Sequence, residues 1–318
     1  MNELGNDNKY SQQQNNKTMI SVILPSYNSE TTIEPVLTAL KNQSYNDPYE
    51  IILVDSSEDK TPEIVRSKFP EIKYIHLKTK TDPGTARNLG LKESTGKYIL
   101  FIDSDCVAQP DWIEKMVSMH DSTDHAAVGG GVINGNDPKN NVAWAGYMAE
   151  FREFIPEQGR REVGHIPTCN ISYKRRYLED LGGFNPNYYP QEDLDFNHRL
   201  VESGATILFN PEAQVAHNHR TTVKDFVRHQ KNVGRITSTM LNILPLEGSK
   251  IARSKLKTLI FIPFIPVVKW FRTLSIFWKL NRSIILKHPS AIFIFAYGLL
   301  PWSIGFINGV FKYSPQSK

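Results

Sequence analysis

The chain has 318 residues, of which 40% are apolar and 22% charged, with a formal net charge of +4. That length can bury the core of one large domain or one and a half, and the balance excludes a disordered or collagen-like chain. The two cysteines, Cys106 and Cys169, exclude a disulfide framework and a C-x-x-C metal pair and fit a reducing compartment, with one disulfide between them left open.

Residues 1–18 are polar and rich in Asn and Gln, so a disordered tail is expected there and not a signal peptide. Ile20-Ser21-Val22-Ile23-Leu24 reads as a strand broken by Pro25. A helix should follow, with Thr32 as its cap, Pro35 in its first turn, and Val36, Leu37 and Leu40 facing inward. Glu50 to Val54 is a second strand, and Thr61-Pro62-Glu63 opens a helix with Thr at the cap and Pro at the first helical position. Ile72 to Leu77 is a third strand, Gly84 to Glu93 a third helix, Tyr98 to Ile102 a fourth strand and Asp111 to His120 a fourth helix. This alternation predicts right-handed βαβ units and an α/β fold whose mainly parallel sheet is flanked by helices. Ligands of such sheets sit beyond the strand carboxyl ends. Tyr27-Asn28-Ser29, Asp55-Ser56-Ser57 and Asp103-Ser104-Asp105 follow three of those ends and are expected to share one crevice.

Beyond Gly135 the pattern loosens, as in a segment that wraps an acceptor. A helix covers Glu192 to Glu202 and stops at Ser203-Gly204, and His217 and His219 alternate on a predicted strand. After Leu241 the composition changes. Lys250, Arg253, Lys255, Lys257, Lys269, Arg272, Lys279, Arg282 and Lys287 occur with no acid among them. Their aromatic and aliphatic neighbours favour a membrane surface over nucleic acid. Thr258 to Val268 is apolar but interrupted by Pro263 and Pro266, and Ala291 to Val310 runs twenty residues without a charge, long enough to span a bilayer. Pro301 and three glycines weigh against a span, so residues 241–318 read as a basic, apolar, membrane-associated helical region behind a domain at 19–240.

The segment Phe101-Ile102-Asp103-Ser104-Asp105 ends an apolar run with two carboxylates spaced i and i+2. In an extended chain both face one point, where like charges repel unless a cation joins them. Oxygen ligands at a strand end suit Mg²⁺ or Mn²⁺, which also grips a diphosphate. Such a pair equally occurs in solvated turns, and the preceding strand is what raises it. Asp55 can accept from a base N–H or a ribose hydroxyl, or form an Asx-type turn. Gly84-Thr85-Ala86-Arg87-Asn88 opens a helix in a way that suits phosphate, or carries a surface arginine. Glu192, Asp193 and Asp195 at a helix start either stabilise the macrodipole, by about 0.3–1 kcal/mol each, or supply a general base. Gly129-Gly130-Gly131 lacks phosphate-loop spacing and receives no ligand role.

Taken in order, seven motifs resemble the family-2 inverting glycosyltransferases with a GT-A fold, in their membrane-associated bacterial or archaeal form. They are Val22-Ile23-Leu24-Pro25-Ser26-Tyr27-Asn28, Val54-Asp55, Ala86-Arg87-Asn88 with Gly90, Phe101-Ile102-Asp103-Ser104-Asp105, Gly182-Gly183-Phe184, Glu192-Asp193 and Val215-Ala216-His217. The similarity covers about Ile20 to Arg235, some two thirds of the chain. It implies that Pro25, Tyr27 and Asp55 line the nucleotide base pocket with Glu30 just beyond, that Arg87 lies near the nucleotide or its diphosphate, and that Asp103 faces the ribose. Asp105 then coordinates a divalent metal, Mg²⁺ or Mn²⁺, with Asp103 and His217 as further ligands, Asp193 is the base supported by Glu192, and Asn170 faces donor sugar or acceptor. The loop Asp55 to Thr61 is a residue shorter than the family pattern and lacks its glycine, which leaves Asp59 without an assigned part. His217 and His219 compete for the metal position, and His217 is preferred for its place after Val215.

The activity implied is metal-dependent, inverting transfer of a sugar from a nucleotide-sugar, by family habit a UDP-sugar, to a hydroxyl of a lipid-linked or cell-surface saccharide. Its partners would be the donor, that acceptor and the cytoplasmic leaflet of the cell membrane, with no nucleic acid. A polyprenyl-phosphate sugar synthase and an inactive scaffold of a polysaccharide-assembly complex are the alternatives.

Overall fold

The computed structural model describes residues 20–313, so the tail expected at 1–18 lies outside the described residues. Nine strands form one sheet: β1 (Ile20–Ser26), β2 (Tyr49–Asp55), β3 (Lys73–His76), β4 (Tyr98–Ile102), β5 (Cys106–Ala108), β6 (Ala127–Asn134), β7 (Arg161–Val163), β8 (Asn170–Lys174) and β9 (Ile207–His217). Between the strands run α1 (Ile33–Lys41), α2 (Thr61–Lys68), α3 (Pro83–Glu93), α4 (Trp112–Ser122), α5 (Asn141–Glu150), α6 (Arg175–Asp180) and α7 (Glu192–Glu202). A C-terminal group follows, made of α8 (Val223–Ile243), α9 (Ser249–Ala252), α10 (Lys255–Phe261), α11 (Ile265–Leu280), α12 (Arg282–Lys287) and α13 (Pro289–Lys312).

The strand order is β3-β2-β1-β4-β8-β6-β9-β5, with β7 paired to β9. The first four strands are parallel, as βαβ units require. β8 then enters antiparallel between β4 and β6, and β6 and β9 are parallel again, so the sheet is mixed. Period-two alternation splits the core between the two faces. Ile20, Val22 and Leu24 of β1 pack with α1 and α4, whereas Ile23 joins Phe101, Tyr173, Phe184 and Phe196 on the other side.

Several local expectations shift for identifiable reasons. β1 does not break at Pro25 but runs to Ser26, because pairing with β4 ends at Ile23 and leaves no ladder on that flank for the missing N–H to interrupt. Thr61 is not the cap of α2 but its first residue; Lys60 holds the cap position and the Asp59 carboxylate accepts from the Thr61 N–H at 2.9 Å. α3 begins one residue early, at Pro83, because Asp82 caps it by accepting from the Thr85 N–H at 2.9 Å. The looser stretch beyond Gly135 contains α5, capped by Asn140, whose side chain accepts from Val142 and Ala143. The Gly129–Gly131 run lies in β6, where register against β9 shifts and a Cβ at Gly130 would stand 1.7 Å from the Ala213 carbonyl oxygen.

α13 is 24 residues long with mean hydropathy 1.7 over its most apolar window, and it is the one helix among the described residues long and apolar enough by itself to cross a membrane. It is not a free span. One side packs along α8 and against α5, burying 44% of that window, and Pro301 is accommodated on this buried side. The opposite side carries the exposed stripe Phe293, Tyr297, Leu300 and Ile304, at helical spacing. α10 and α11 meet at a bend of 57° and expose Leu256, Phe264, Val268 and Phe271 in the same way.

The α8–α13 contact is backbone-close. A Cβ at Gly305 would lie 1.9 Å from the Lys231 carbonyl oxygen, and one at Gly234 would lie 1.9 Å from that of Trp302. Neither neighbour is a side chain that can rotate away. Gly305→Leu is therefore expected to force the two helices apart, lowering stability by at least about 1–3 kcal/mol in thermal unfolding. Gly164→Ala, with nothing within 4 Å of its added Cβ, is the control expected to leave the midpoint unchanged.

Candidate active site

Three strand ends and one helix start build the site. The turn after β1 is knitted to the turn after β2: Asn28, at φ 52°, donates its N–H to Ser57 Oγ at 2.7 Å and accepts from the Glu58 N–H at 3.0 Å. Ser29 donates its N–H to Thr61 Oγ1 at 2.9 Å, and its hydroxyl lies 2.8 Å from that of Ser104 after β4. Glu30 and Asp59 complete this seam. The Asp59 carboxylate accepts from the Glu30 N–H at 3.1 Å, and Glu30 accepts from the Lys60 N–H at 3.2 Å. Asp59 thus acquires a structural part, capping α2 and holding Glu30. Tyr27 stands at the rim with Lys80 Nζ 4.1 Å from its ring centre.

Asp55 lies at the buried floor, with no exposed surface. One oxygen accepts from the Ser57 N–H and hydroxyl, and the other accepts from the Tyr74 hydroxyl at 2.8 Å and lies 3.1 Å from His76 Nδ1. Burial and Asp55 together raise the Tyr74 phenol, which keeps it a donor. Pro25 is buried in β1 opposite Val54.

Arg87 is the centre of the arrangement. It sits in α3, 3% exposed, and donates from Nη1 to Glu192 at 2.6 Å and from Nη2 to Asp103 at 2.7 Å. Burial works against its charge, yet Asp103 and Glu192, with Asp193 beyond, raise its pKa further. Burial pushes the Glu192 carboxyl up, against the pull of Arg87, and Asp193 next to it adds to the rise. Glu192 Oε2 and Arg87 Nε remain buried without partners. Asp193 stands partly exposed in the first turn of α7, accepting from the Thr168 N–H at 3.2 Å and the Leu194 N–H at 2.7 Å.

Asp103 and Asp105 are not on an extended strand, since β4 ends at Ile102 and the Cys106 N–H closes a turn onto the Asp103 carbonyl at 3.0 Å. The two side chains therefore take different neighbours: Asp103 turns to Arg87, and Asp105 turns to His217. The reason is strand register. β5 pairs antiparallel with β9 so that Cys106 lies opposite His217, and the Asn218 N–H donates to the Asp105 carbonyl at 2.9 Å. Donor atoms of Asp105, Cys106 and His217 consequently fall within 4.8 Å of one another. His219 lies past the end of β9, buried against Tyr147 and Phe151, so the register brings His217 to Asp105 and leaves His219 behind it. Burial, with His217 close by, pulls the His219 imidazole down to about 3. Behind it Glu150 meets His229 at 2.9 Å and Arg220 at 3.8 Å; burial alone would raise this carboxyl, and these neighbours hold it well below the usual range.

The donor set suits a hard divalent ion. His217 Nε2 and Asp105 Oδ1 are 3.7 Å apart, too far for a hydrogen bond but a separation that two ligands at about 2.1 Å from one ion can span. Burial, then hydrogen bonding to Cys169, raises the Cys106 thiol well above its usual value, which keeps it protonated and a poor ligand. Contact with Cys106 lowers the pKa of the buried Cys169 thiol, but burial and the charges of Asp103, Asp105 and Asp193 raise it on balance. Asp105 and Ser104 line a crevice of about 750 Å³ with Tyr27, Asn28, Asn136, Asn218 and Arg220.

Asn170 requires correction. It does not face this crevice; it is fully buried, accepting from Trp112 Nε1 at 2.8 Å and donating to the carbonyls of Gly131 and Ala213 at 2.9 and 3.0 Å. Both ends of its amide are used in bracing β8 against β6 and β9. Asn136, Asn218 and Arg220 were not legible as site residues, since only the pairing of β9 with β5 and β6 brings them to the crevice.

Comparison with known proteins identifies the family and the fold. A family profile described as glycosyl transferase family 2 matches residues 21–182, half of the chain. The pre-mycofactocin glycosyltransferase of Mycobacterium tuberculosis is 26% identical over 226 residues, covering 68% of this chain and 46% of its own length. The chain thus spans about half the length of the curated relatives it matches first. The glucosyl-dolichyl phosphate glucuronosyltransferase of Haloferax volcanii is 26% identical over 230 residues, 62% of this chain and 68% of its own. Among solved structures, the mannosyltransferase PcManGT from Pyrobaculum calidifontis, in complex with GDP-Man and Mn²⁺, superposes with TM-score 0.59 at 18% identity, over 90% of this chain and 86% of its own. The chain belongs to glycosyl transferase family 2, and its α/β architecture is of the GT-A type.

The Arg87 bridge has a measurable consequence. Arg87→Ala leaves Glu192 a buried carboxylate without a counter-charge and is expected to cost about 3–5 kcal/mol in chemical unfolding. Replacing both partners, as Arg87→Met with Glu192→Leu, is expected to recover most of that loss.

Proposed function

We propose that this chain is a metal-dependent, inverting glycosyltransferase that moves a sugar from a nucleotide-sugar to a hydroxyl of a lipid-linked saccharide. The carrying observation is the pairing of β5 with β9, which sets His217 against Asp105 within reach of a single ion, while Arg87 ties Asp103 to the start of α7. Asp105 and His217 would hold Mg²⁺ or Mn²⁺. When bound, the ion supplies charge to a leaving nucleoside diphosphate. A solved neighbour with the same fold was obtained with a nucleotide-sugar and Mn²⁺, which supports this choice of ligand and ion.

The protein's own groups divide the remaining work. The crevice lined by Tyr27, Asn28 and Ser104 takes the nucleotide, with a UDP-sugar as the donor expected and GDP as the other candidate. Asp55, already holding four contacts, acts as a rigid floor for the base. Asp103 keeps one oxygen on Arg87, and its side chain is still about a third exposed, which leaves the other oxygen open to a ribose hydroxyl. Asp193 takes the proton from the acceptor hydroxyl as that oxygen attacks the anomeric carbon opposite the diphosphate. One displacement inverts the centre. Glu192, fixed by Arg87, orients the first turn of α7 and with it Asp193.

The C-terminal helices support this acceptor class. Their exposed aromatic and aliphatic stripes, with the basic residues between Lys250 and Lys287, suit a monotopic seat on the anionic cytoplasmic leaflet. One relative is named for action on a glucosyl-dolichyl phosphate, a lipid-linked sugar. A seat of this kind would bring the crevice to such an acceptor at the membrane surface.

Two measurements test the assignment. Asp193→Asn is expected to lower transfer by about 10²–10⁴-fold while nucleotide-sugar binding persists, read as nucleotide release beside a thermal shift. Normal turnover in that variant would remove Asp193 from the role. Asp105→Ala and His217→Ala should each abolish the gain in donor affinity that Mn²⁺ confers on the native chain, measured by calorimetry with and without the ion. An unaltered Mn²⁺ effect in both would sink the metal site.

A further inference from the structure

A second charged cluster lies in the C-terminal helices, in α11 and the segment after α5, apart from the catalytic residues named above. Lys269 of α11 places Nζ 3.8 Å from the centre of the Trp302 ring and, among the described residues, has no carboxylate partner. Arg152 and Arg272 lie close enough to act on it, and burial, with those two charges, pulls its amine down to about 7. Among the described residues the carboxylate paired here is Glu153, shared between Arg152 at 3.4 Å and Arg272 at 3.0 Å. Two guanidinium groups and a nearby amine thus share a single carboxylate. Two further groups wait without partners: the Trp302 indole Nε1–H, on a side chain 3% exposed, and the Thr273 hydroxyl, fully buried one turn beyond Lys269 on the same face.

Packing an amine beside two guanidinium groups favours loss of its proton, and an anion that joins them favours keeping it. A carboxylate would leave charge over. A phosphate monoester, or the diphosphate of a sugar-bearing lipid, brings about two negative charges and several acceptor oxygens, which matches planar guanidinium groups and the free N–H and O–H donors. The cluster opens to the surface at Arg272, whose side chain is 52% exposed, and beside it α11 exposes Phe264, Val268 and Phe271 at i, i+4 and i+7. Charge and apolar surface are therefore contiguous, which a lipid carrying a phosphate satisfies and a free ion does not.

We infer that Lys269, Arg152 and Arg272, with Trp302 and Thr273 behind them, bind the phosphate of a polyprenyl-type lipid, with its chain laid on the exposed face of α11. This rests on the lipid-linked acceptor proposed above and gives its carrier a seat. The site also adjoins the catalytic residues along the chain, because Phe151, next to Arg152, packs its ring 4.9 Å from that of His217.

The test uses the full chain and vesicle flotation. Phosphatidylcholine vesicles doped with a prenyl phosphate are compared with vesicles doped with the matching prenol, and inorganic phosphate is added as a competitor. The native chain should bind the phosphate-bearing vesicles more tightly than the prenol vesicles. Lys269→Met should reduce that increment by at least about tenfold, the weight of a charge-assisted bond. Thermal shift with nucleotide-sugar and Mn²⁺ should be unchanged. Equal binding to both vesicle types, or an undiminished increment in Lys269→Met, overturns the proposal. Inorganic phosphate competing as strongly as the lipid would mark a free-anion site and overturn the lipid assignment. Should Lys269→Met fail to fold, acetylation of Lys269 in the native chain decides, read by mass spectrometry: prenyl phosphate must slow it and prenol must not. Lost transfer with the phosphate increment intact would count against the catalytic reading alone, and the reverse outcome against this site alone.

Discussion

A buried guanidinium between two carboxylates is the constraint on which the site depends. Arg87 has almost no contact with solvent, so its charge is tolerable only while Asp103 and Glu192 remain in place, and each acid is held because Arg87 faces it. Asp103 comes from the end of β4, and Glu192 from the start of α7, with the whole mixed half of the sheet between them in sequence. The bridge therefore links the parallel, nucleotide-side half of the domain to the helix that carries Asp193. Glu192 raised by burial and Arg87 raised by its two acids are two sides of one compromise, a stiff link assembled from groups that would each be costly alone.

A second constraint acts beside it, through hydrogen bonds along the backbone. The antiparallel pairing of β5 with β9 decides which side chain meets Asp105. A slip of one residue would turn His217 to the opposite face, since side chains alternate across a strand. Behind this ladder, the buried His219 and the half-buried Glu150 and His229 form a polar layer that joins the strand end to α5 and α8. Because α8 in turn clasps α13 through glycines at backbone contact, the C-terminal helices are continuous with the wall behind Asp105 and His217. Their exposed apolar surface is thus packed onto the domain and is not a tether hung from it.

Much of the parallel half was legible because its signals are local. Alternating apolar residues in Ile20 to Leu24 and Tyr98 to Ile102, and the apolar face of α1, report their own burial without reference to the rest of the chain. Asn170 misled for the opposite reason. Its position after a loop suited a ligand contact, but three partners from α4, β6 and the segment within β9 consume its amide, and none is near it in sequence. The carboxylates of Asp103 and Asp105 were grouped on the premise of an extended backbone, and a turn separates them. The apolar stretch from Ala291 to Val310 reads as a span by length alone, because composition does not reveal that α8 covers one side of it.

The amino-acid order alone determined the family, the alternation of strands and helices through the first half, and the set of acids and basic residues available for chemistry, since each is written in residue type at short spacing. Only the tertiary structure decided which of those groups meet. The approach of His217 and not His219 to Asp105, the attachment of Asp103 to Arg87 and the placing of Lys269 against Trp302 arise from strand register and helix packing. These are contacts between residues distant in the chain, and no local pattern encodes them.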